Sequence, residues 1–437
     1  MRKWRILSAL LAVVLAAGIA FSAARVQAAG RNVVYDETIL QGEEGDFAGV
    51  VVQAKSRMRN EVLWETAYRP GGEAESTVKY GVSDWEPMDY PPFLRSDCHL
   101  LNGPEFRNEG EADALVQNIA AGVPVGETRE TVIRAADWYE GFPLRLELDG
   151  VLLRTEMHIP VPEDFMVRVT VSRQDPERYS FTIREATGAG PTMNAVSAGY
   201  EEGNTARCWF ALDTGTLDTA ALPGGGGVFY TDSGALTISC AHPLPAGTQV
   251  DDLWLAEDKS TLYMLRTRDG AHTLTVLGIE DMAVQQEINL PIAAEAALEP
   301  TIRDGAVLLI PAADGTITVL TAEEDNTYTL RLQADAAGDP VLQAPAHQDL
   351  RELVSADFRD GRLVLARQQY LEEDLTQDLD VLLSVYGADG SRSTMVSRCS
   401  IGREIDPERE SRYEHGMTHF ALRPGWTRPV IVRFENG

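Results

Sequence analysis

Apolar and polar residues alternate in short runs along most of this chain. In Thr327–Leu332, for example, Tyr328, Leu330 and Leu332 alternate with Thr and Arg residues. Successive side chains of a β-strand point to opposite faces, so each such run predicts a strand with one buried face. The pattern is clearest from Asp251 to Asp335 and recurs from Arg31 to Phe434. It predicts an all-β fold of roughly two dozen short strands.

Glycine-containing turns separate these runs. The tripeptide Arg-Asp-Gly occurs at 268–270, 303–305 and 359–361, each time directly before an apolar run. Glycine adopts positive φ without steric cost and aspartate tolerates tight turns, so Asp-Gly between two strands predicts a hairpin. The unequal intervals indicate a loose repeat with insertions.

One short helix is predicted, over 111–121. Acidic residues occupy its first turn, Leu115 and Ile119 lie four apart on one face, and Gly122 follows its end.

The segment 251–279, DDLWLAEDKSTLYMLRTRDGAHTLTVLGI, gives the order strand, polar turn, strand, Asp-Gly, strand. It resembles the blades of secreted β-propeller proteins. The resemblance implies a propeller of about six to eight four-stranded blades over 31–437. It also implies that the final strand, in PVIVRFEN at 429–436, pairs with N-terminal strands near Val33, which removes free sheet edges. The alternative is a β-sandwich-like domain over 31–187 and a second β domain over 192–437.

The first 29 residues predict export. A basic start with Arg2, Lys3 and Arg5 precedes an uncharged apolar run, 6–24, and the small-residue sequence Val26-Gln27-Ala28 follows. Because the run approaches the length of about 20 residues that spans a bilayer, a cleaved signal peptide and a retained membrane anchor both stay open. Either way the remainder is expected outside the cytoplasm, secreted or tethered, with membrane contact only through 6–24.

The charge excludes one class of partner. The 437 residues carry a net charge of −29, and removing the four cations of the first 28 residues brings it to −33. Such a chain repels nucleic acid and anionic lipid, so neither is expected to bind the folded part.

The chain has four cysteines and no Cys-x-x-Cys pair, which excludes a zinc ribbon. Cys208 and Cys240 lie in neighbouring strand-like runs, so a disulfide and buried free thiols both stay open for them. The state of Cys98 and Cys399 is equally open.

One motif points to catalysis. Asp213-Thr214-Gly215, in FALDTGT, resembles the active-site turn of aspartic proteases. That chemistry needs two carboxylates that share one proton. The only similar turn, Asp232-Ser233-Gly234, follows too soon for a separate lobe, and Asp-Thr-Gly is also an ordinary hairpin tip. Asp213 is therefore a catalytic candidate only if the protein is a hydrolase.

No metal ligand or cofactor is assigned from the sequence. His415 and His419 lie in a strand-like segment, where such spacing separates side chains by about 13 Å. The acidic clusters 323–325 and 372–374 lack the Asp-x-Asp-x-Asp-Gly order of a calcium loop, which favours solvated loops. A calcium site assembled from separate strands stays open.

The sequence thus favours a non-enzymatic binding or scaffold module for a peptide, glycan or partner protein. The alternative is a hydrolase, either with a glycosidase-like carboxylate pair or through Asp213. A hydrolase predicts carboxylates with perturbed pKa values in one pocket, whereas a binder predicts an apolar or aromatic patch on a rim.

Overall fold

The computed structural model describes residues 12–24, 33–58, 62–80, 98–101, 114–137, 141–148, 151–161, 163–187, 195–203, 205–212, 226–234, 238–343, 354–369, 380–401 and 430–435. These residues are mainly antiparallel strands, so the all-β prediction is confirmed. In chain order the strands are β1 (Val33–Gln41), β2 (Val50–Met58), β3 (Val62–Tyr68), β4 (Glu75–Tyr80), β5 (Cys98–Leu101), β6 (Thr128–Arg134), β7 (Gly141–Leu148), β8 (Val151–Pro160), β9 (Met166–Arg173), β10 (Tyr179–Thr187), β11 (Ala195–Glu202), β12 (Thr205–Leu212), β13 (Gly227–Asp232), β14 (Ser239–Pro243), β15 (Gln249–Leu255), β16 (Thr261–Arg268), β17 (Ala271–Gly278), β18 (Val284–Asn289), β19 (Ile302–Asp304), β20 (Val307–Pro311), β21 (Thr316–Ala322), β22 (Tyr328–Asp335), β23 (Ser355–Arg359), β24 (Arg362–Gln369), β25 (Asp380–Tyr386), β26 (Arg392–Ile401) and β27 (Val430–Phe434).

Helices are few within these ranges. Helix α1 spans 12–24, and α2 spans Ala114–Ala121, which confirms the predicted short helix over that part of 111–121. Two 3-10 helices lie at Glu44–Phe47 and Ala135–Asp137. In the described part of the chain, no helix has both the length and the apolarity needed to cross a membrane. Export through the first 29 residues stays a prediction.

The chain divides into two compact units. The terminal unit comprises Met1–Pro92 and Pro291–Gly437, and the central unit comprises Phe93–Leu290.

The central unit contains four described sheets. Two are four-stranded meanders, β11-β12-β13-β14 and β15-β16-β17-β18, in which each strand pairs with the next one along the chain. The other two are three-stranded, with the orders β10-β9-β6 and β5-β7-β8. Helix α2 packs on the three-stranded sheet of β6, β9 and β10 through Val116 and Ala120.

The terminal unit contains three described sheets. One is a meander, β19-β20-β21-β22. The second is the meander β23-β24-β25-β26 with β1 added beside β26, and the third has the order β27-β2-β3-β4. The final strand therefore pairs with a strand of the N-terminal part of the chain, but the predicted partner near Val33 is wrong. Its partner is β2, with Val50 opposite Phe434. The strand at Val33 instead pairs with β26.

The sheet of β23–β26 is buried on both faces. On β24, Leu363 and Leu365 pack into one core cluster with strands β19–β22. Val364 and Ala366 pack into another cluster with β2 and β27. This accounts for the continuous apolar run at 363–366, because a strand covered on both sides has no solvent face to keep polar.

The Arg-Asp-Gly tripeptides form two kinds of hairpin. Asp269 and Gly270 have φ values of 50° and 75°, and Asp360 and Gly361 have 51° and 77°. These are two-residue turns with both central residues left-handed, as the sequence predicts. In the third tripeptide Asp304 stays in its strand opposite Val307, and the two turn residues are Gly305 and Ala306.

Candidate functional site

Two of the three Arg-Asp-Gly tripeptides meet at one pocket of the terminal unit. The pocket has a volume of about 500 Å³ and is lined from the β19–β20 turn, the ends of β21 and β23, the β23–β24 turn, and β22 and β27. Its carboxylates are those of Asp304, Glu323, Asp357 and Asp360. Its guanidinium groups are those of Arg331, Arg359 and Arg433. We name this site the Asp304 pocket.

Asp304 joins three sheets. Its Oδ2 accepts hydrogen bonds from Ser355 Oγ at 2.7 Å and from the backbone N–H of Ala356 at 2.8 Å, both on β23. It also accepts one from Arg433 Nη1 on β27 at 3.2 Å. The Asp304 side chain is only 16% exposed. A mostly buried carboxylate that accepts from three donors is held in one orientation.

Ser355 continues this network into the core. It is fully buried, and besides donating to Asp304 its Oγ accepts from the backbone N–H of Val432 at 3.1 Å. A single hydroxyl thus connects β23 both to β19 and to β27.

The pocket's arginines are fixed by neighbouring groups before any ligand arrives. Arg331 donates from Nε to Thr321 Oγ1 and from Nη2 to Glu323 Oε1, each at 2.7 Å. Arg433 uses Nη1 alone, donating to Asp304 and to the carbonyls of Ala356 and Val432. No described residue bonds Arg331 Nη1, Arg433 Nε or Arg433 Nη2, so these donors are available to a ligand.

The C-terminal strand supplies the remaining supports. Asp357 Oδ2 accepts from the backbone N–H of Phe434 at 2.7 Å. Arg359 Nη1 donates to the carbonyl of Glu435. Asp360, at the tip of the β23–β24 turn, is exposed, and no described residue bonds its carboxylate. The pocket therefore presents both hydrogen-bond donors and hydrogen-bond acceptors. Bonds to β27 and to Glu435 hold Asp357 and Arg359 in place.

A second cavity, of about 550 Å³, lies at the opposite end of the β19–β22 sheet. Small and apolar residues dominate it, among them Pro300, Pro311 and Ala313, and the buried Asp339 lies at its base. Asp339 accepts from Ser384 Oγ at 2.7 Å and from the Tyr386 hydroxyl. Burial, followed by the Asp339 charge, raises the pKa of Tyr386 well above its usual range. This network holds the segment after β22 on the next sheet.

The residues singled out from the sequence are scattered. Asp213, His415, His419 and the cluster 372–374 lie outside the described residues. In the cluster 323–325, Glu323 pairs with Arg331, and Asp325 accepts from Thr327 of its own turn. No group of three or more His, Cys, Asp or Glu in the described ranges is placed to hold a metal ion.

The two cysteines whose side chains are described are free thiols. Cys208 is buried and Cys240 is partly buried, and burial raises the pKa of Cys240. They lie in one sheet but on non-adjacent positions, opposite Thr231 and Phe229 of the strand between them. The side chains of Cys98 and Cys399 lie outside the described part.

Sequence reasoning found the repeated tripeptide but not the pocket. The arginine shared by the three copies gave no signal of it, because of these arginines only Arg359 lines the pocket. The partners on β23 and β27 lie about 50 and 130 residues away from Asp304 along the chain.

No protein family model matches the chain, and no curated protein matches it in sequence. Three solved structures illustrate what it is similar to. The Dos1 propeller has 8% identity and a TM-score of 0.26, over 60% of this chain and 74% of that one. Dihydro-heme d1 dehydrogenase NirN, in complex with DHE, has 12% identity and a TM-score of 0.27, over 80% and 53%. A chain of the mitotic checkpoint complex has 11% identity and a TM-score of 0.24, over 45% and 61%.

The chain is thus an all-β protein of antiparallel meander sheets that resembles β-propeller structures at the level of fold. It spans 61% and 53% of two of the chains it is similar to. The strand pairing of the seven described sheets defines the all-β class.

Proposed function

We propose that this chain is an extracytoplasmic, propeller-like binding protein that holds a peptide, glycan or partner protein, and that the Asp304 pocket is its binding site. The observation that carries the proposal is the pocket itself. Charged groups of both signs, from three sheets, are fixed there by bonds to the protein framework, and unused donors and acceptors remain.

Fixed polar groups favour binding over catalysis. Asp304 and Asp357 each accept hydrogen bonds from backbone N–H groups of neighbouring strands. These bonds hold both carboxylate groups in one orientation on the protein framework. The same rigidity lowers the ordering cost of binding a ligand.

The propeller of six to eight blades belongs to this proposal. Each described sheet would be one blade, and the seven described sheets fall within that range. The pairing of β27 with β2 supports the assignment, because a last strand that completes a sheet of the first strands leaves one open edge fewer.

A thermal-shift screen of the full chain tests the binding function. The probes are calcium, soluble cell-wall fragments, neutral oligosaccharides and short peptides. A ligand of the native state raises the melting temperature by mass action, in proportion to the logarithm of its concentration. One class of probe should raise it, and Arg433→Gln should reduce the shift. Unchanged melting with every class, or turnover of any probe, contradicts the proposal.

The export part of the proposal has a separate test. Residues 1–29 are fused to a reporter that is active only outside the cytoplasm, and the fusion should be active. The N-terminal mass of the intact protein then separates the two forms. Cleavage after Ala28 leaves a released protein, whereas an intact terminus in the membrane fraction identifies an anchor. An inactive fusion rejects export.

The second candidate function is a hydrolase with paired carboxylates. The observation that favours it is the presence of four carboxylates around one pocket. Its glycosidase-like form predicts that Asp357→Asn abolishes release of reducing ends from an oligosaccharide. Its protease form predicts that Asp213→Asn abolishes cleavage of an unfolded peptide while the melting temperature stays unchanged.

A further inference from the structure

We infer that the ligand of the Asp304 pocket is a neutral, hydroxyl-rich saccharide. This rests on the proposed binding function and names the ligand class for that same site. The starting observation is the balance of charges. Four carboxylates and three guanidinium groups line the pocket, so its net charge is only −1.

That balance disfavours charged ligands. A polyanion such as a phosphate chain would meet four carboxylates here and the charge of −29 on the whole chain. A metal ion or polycation would meet three guanidinium groups, which cannot lose their charge. A purely apolar ligand would leave these charged groups desolvated without partners, which is strongly unfavourable.

A sugar hydroxyl suits the groups that remain unused. It donates one hydrogen bond and accepts two. Within the described ranges, the donors without a partner are Arg433 Nε and Nη2 and Arg331 Nη1, and the acceptors without one are the carboxylate oxygens of Asp360. The hydroxyls of one saccharide can therefore bond both kinds of group that line this pocket.

The pocket also offers an apolar surface and a suitable size. Phe358 lines it while packing against the core below, so its ring is held in place. The C–H face of a sugar ring packs well on an aromatic side chain. The volume of about 500 Å³ lies within the range of about 300–1,000 Å³ typical of small-ligand sites.

The test is calorimetric titration of the full chain with neutral trisaccharides of glucose, mannose, galactose and N-acetylglucosamine. The same saccharides on a solid support show whether a free oligosaccharide or a surface glycan is the better ligand. At least one should bind. Asp360→Asn should weaken its Kd about threefold to tenfold, and Arg433→Gln about tenfold, since each removes a charged hydrogen-bonding group.

The chain provides a matched control. Asp269 occupies the same left-handed position in the same Arg-Asp-Gly turn, with φ 50° against 51° for Asp360, but it belongs to the central unit and does not line the pocket. Asp269→Asn should leave the Kd unchanged. Because asparagine tolerates this backbone conformation, neither variant should disturb folding, and equal melting temperatures will confirm that.

Each other outcome has one meaning. If no trisaccharide binds, or if Asp360→Asn and Asp269→Asn bind one equally well, the saccharide assignment is wrong. Binding of a peptide probe that Asp360→Asn and Arg433→Gln weaken would overturn the ligand class and leave the binding function in place. If no class of probe binds, the proposed function fails with it. Release of reducing ends from a trisaccharide would overturn the binding function and support the hydrolase function for this pocket.

Discussion

Four aspartates at turns of this protein make the same pattern of hydrogen bonds. Asp258, Asp314, Asp325 and Asp389 each accept hydrogen bonds from the backbone N–H and the hydroxyl of the Ser or Thr two residues later. These bonds satisfy turn groups that no strand partner reaches. They explain why acidic residues recur between strands without forming a site.

The Asp389 turn gives a prediction at this scale. The Ser391 hydroxyl and then the Ser391 N–H lower the pKa of Asp389 below 3.8. A lowered pKa contributes stability above the unfolded value, and that stability is lost as pH falls through the folded value. Ser391→Ala should therefore raise the pKa of Asp389 toward 3.8, as measured by carboxyl-carbon NMR. Ser260→Ala, in a different turn, should leave it in place.

Ser355 gives a second prediction. It is fully buried and bonds both Asp304 and the backbone of Val432. Ser355→Ala leaves those two groups short of a partner, so unfolding in urea should show a loss of about 1–3 kcal/mol. The exposed Ser391→Ala should cost less than about 1 kcal/mol. Equal losses would show that the Asp304 junction adds nothing to stability.

At the scale of elements, the register of a turn decides what its residues do. Asp269 and Asp360 lie at left-handed tip positions with their side chains outward. Asp304, in the same tripeptide, pairs within its strand, and its carboxylate reaches β23. The turn that follows Asp304 begins one residue later than the other two turns. Asp304 therefore stays in its strand and links neighbouring sheets, whereas Asp269 and Asp360 form the turn itself.

Gly227 lies where strands β13 and β14 approach each other closely. It begins β13 with φ 147°, and an added Cβ would lie 2.2 Å from the carbonyl oxygen of His242 on β14. Gly227→Ala must therefore displace β14, and its melting temperature should fall markedly. Gly247 also has positive φ, 76°, but open space around it. Gly247→Ala should cost only about 1 kcal/mol, from backbone strain alone. Equal losses would reject the close approach as the cause.

Within the terminal unit, the two ends of the chain are held together by β27. Val430, Val432 and Phe434 pack with β2 and with the outer face of the β23–β26 sheet. The same strand carries Arg433 into the Asp304 pocket. The stability of this unit and the geometry of its pocket therefore depend on the last few described residues.

Two substitutions on β27 test this dependence. Val432 is fully buried, whereas Ile431 is partly exposed on the other face. Val432→Ala should cost about 2 kcal/mol in urea unfolding because it leaves a cavity in the core. Ile431→Ala should cost about half as much or less. A larger loss for Ile431→Ala would mean that the strand presents its other face to the core.

The predictability of this fold differs between its parts. Strands β21 and β22 follow from local alternation, β16 and β20 follow from short apolar runs, and the Asp-Gly hairpins at 269 and 360 follow from backbone preferences. The pairing of β1 with β26 does not, because the register between distant strands depends on which faces need burial. The pocket was equally out of reach, since its groups come from five separate stretches of chain.

The sequence by itself determined the all-β class, the turn chemistry and the strongly acidic net charge, because these depend on neighbouring residues or on sums over the chain. Only the tertiary structure decided that Asp304 joins three sheets, that two of three identical tripeptides share a pocket, and that the last strand pairs with β2. The physical reason is that burial and hydrogen bonding act through space, and residues far apart in sequence become neighbours only when the sheets pack.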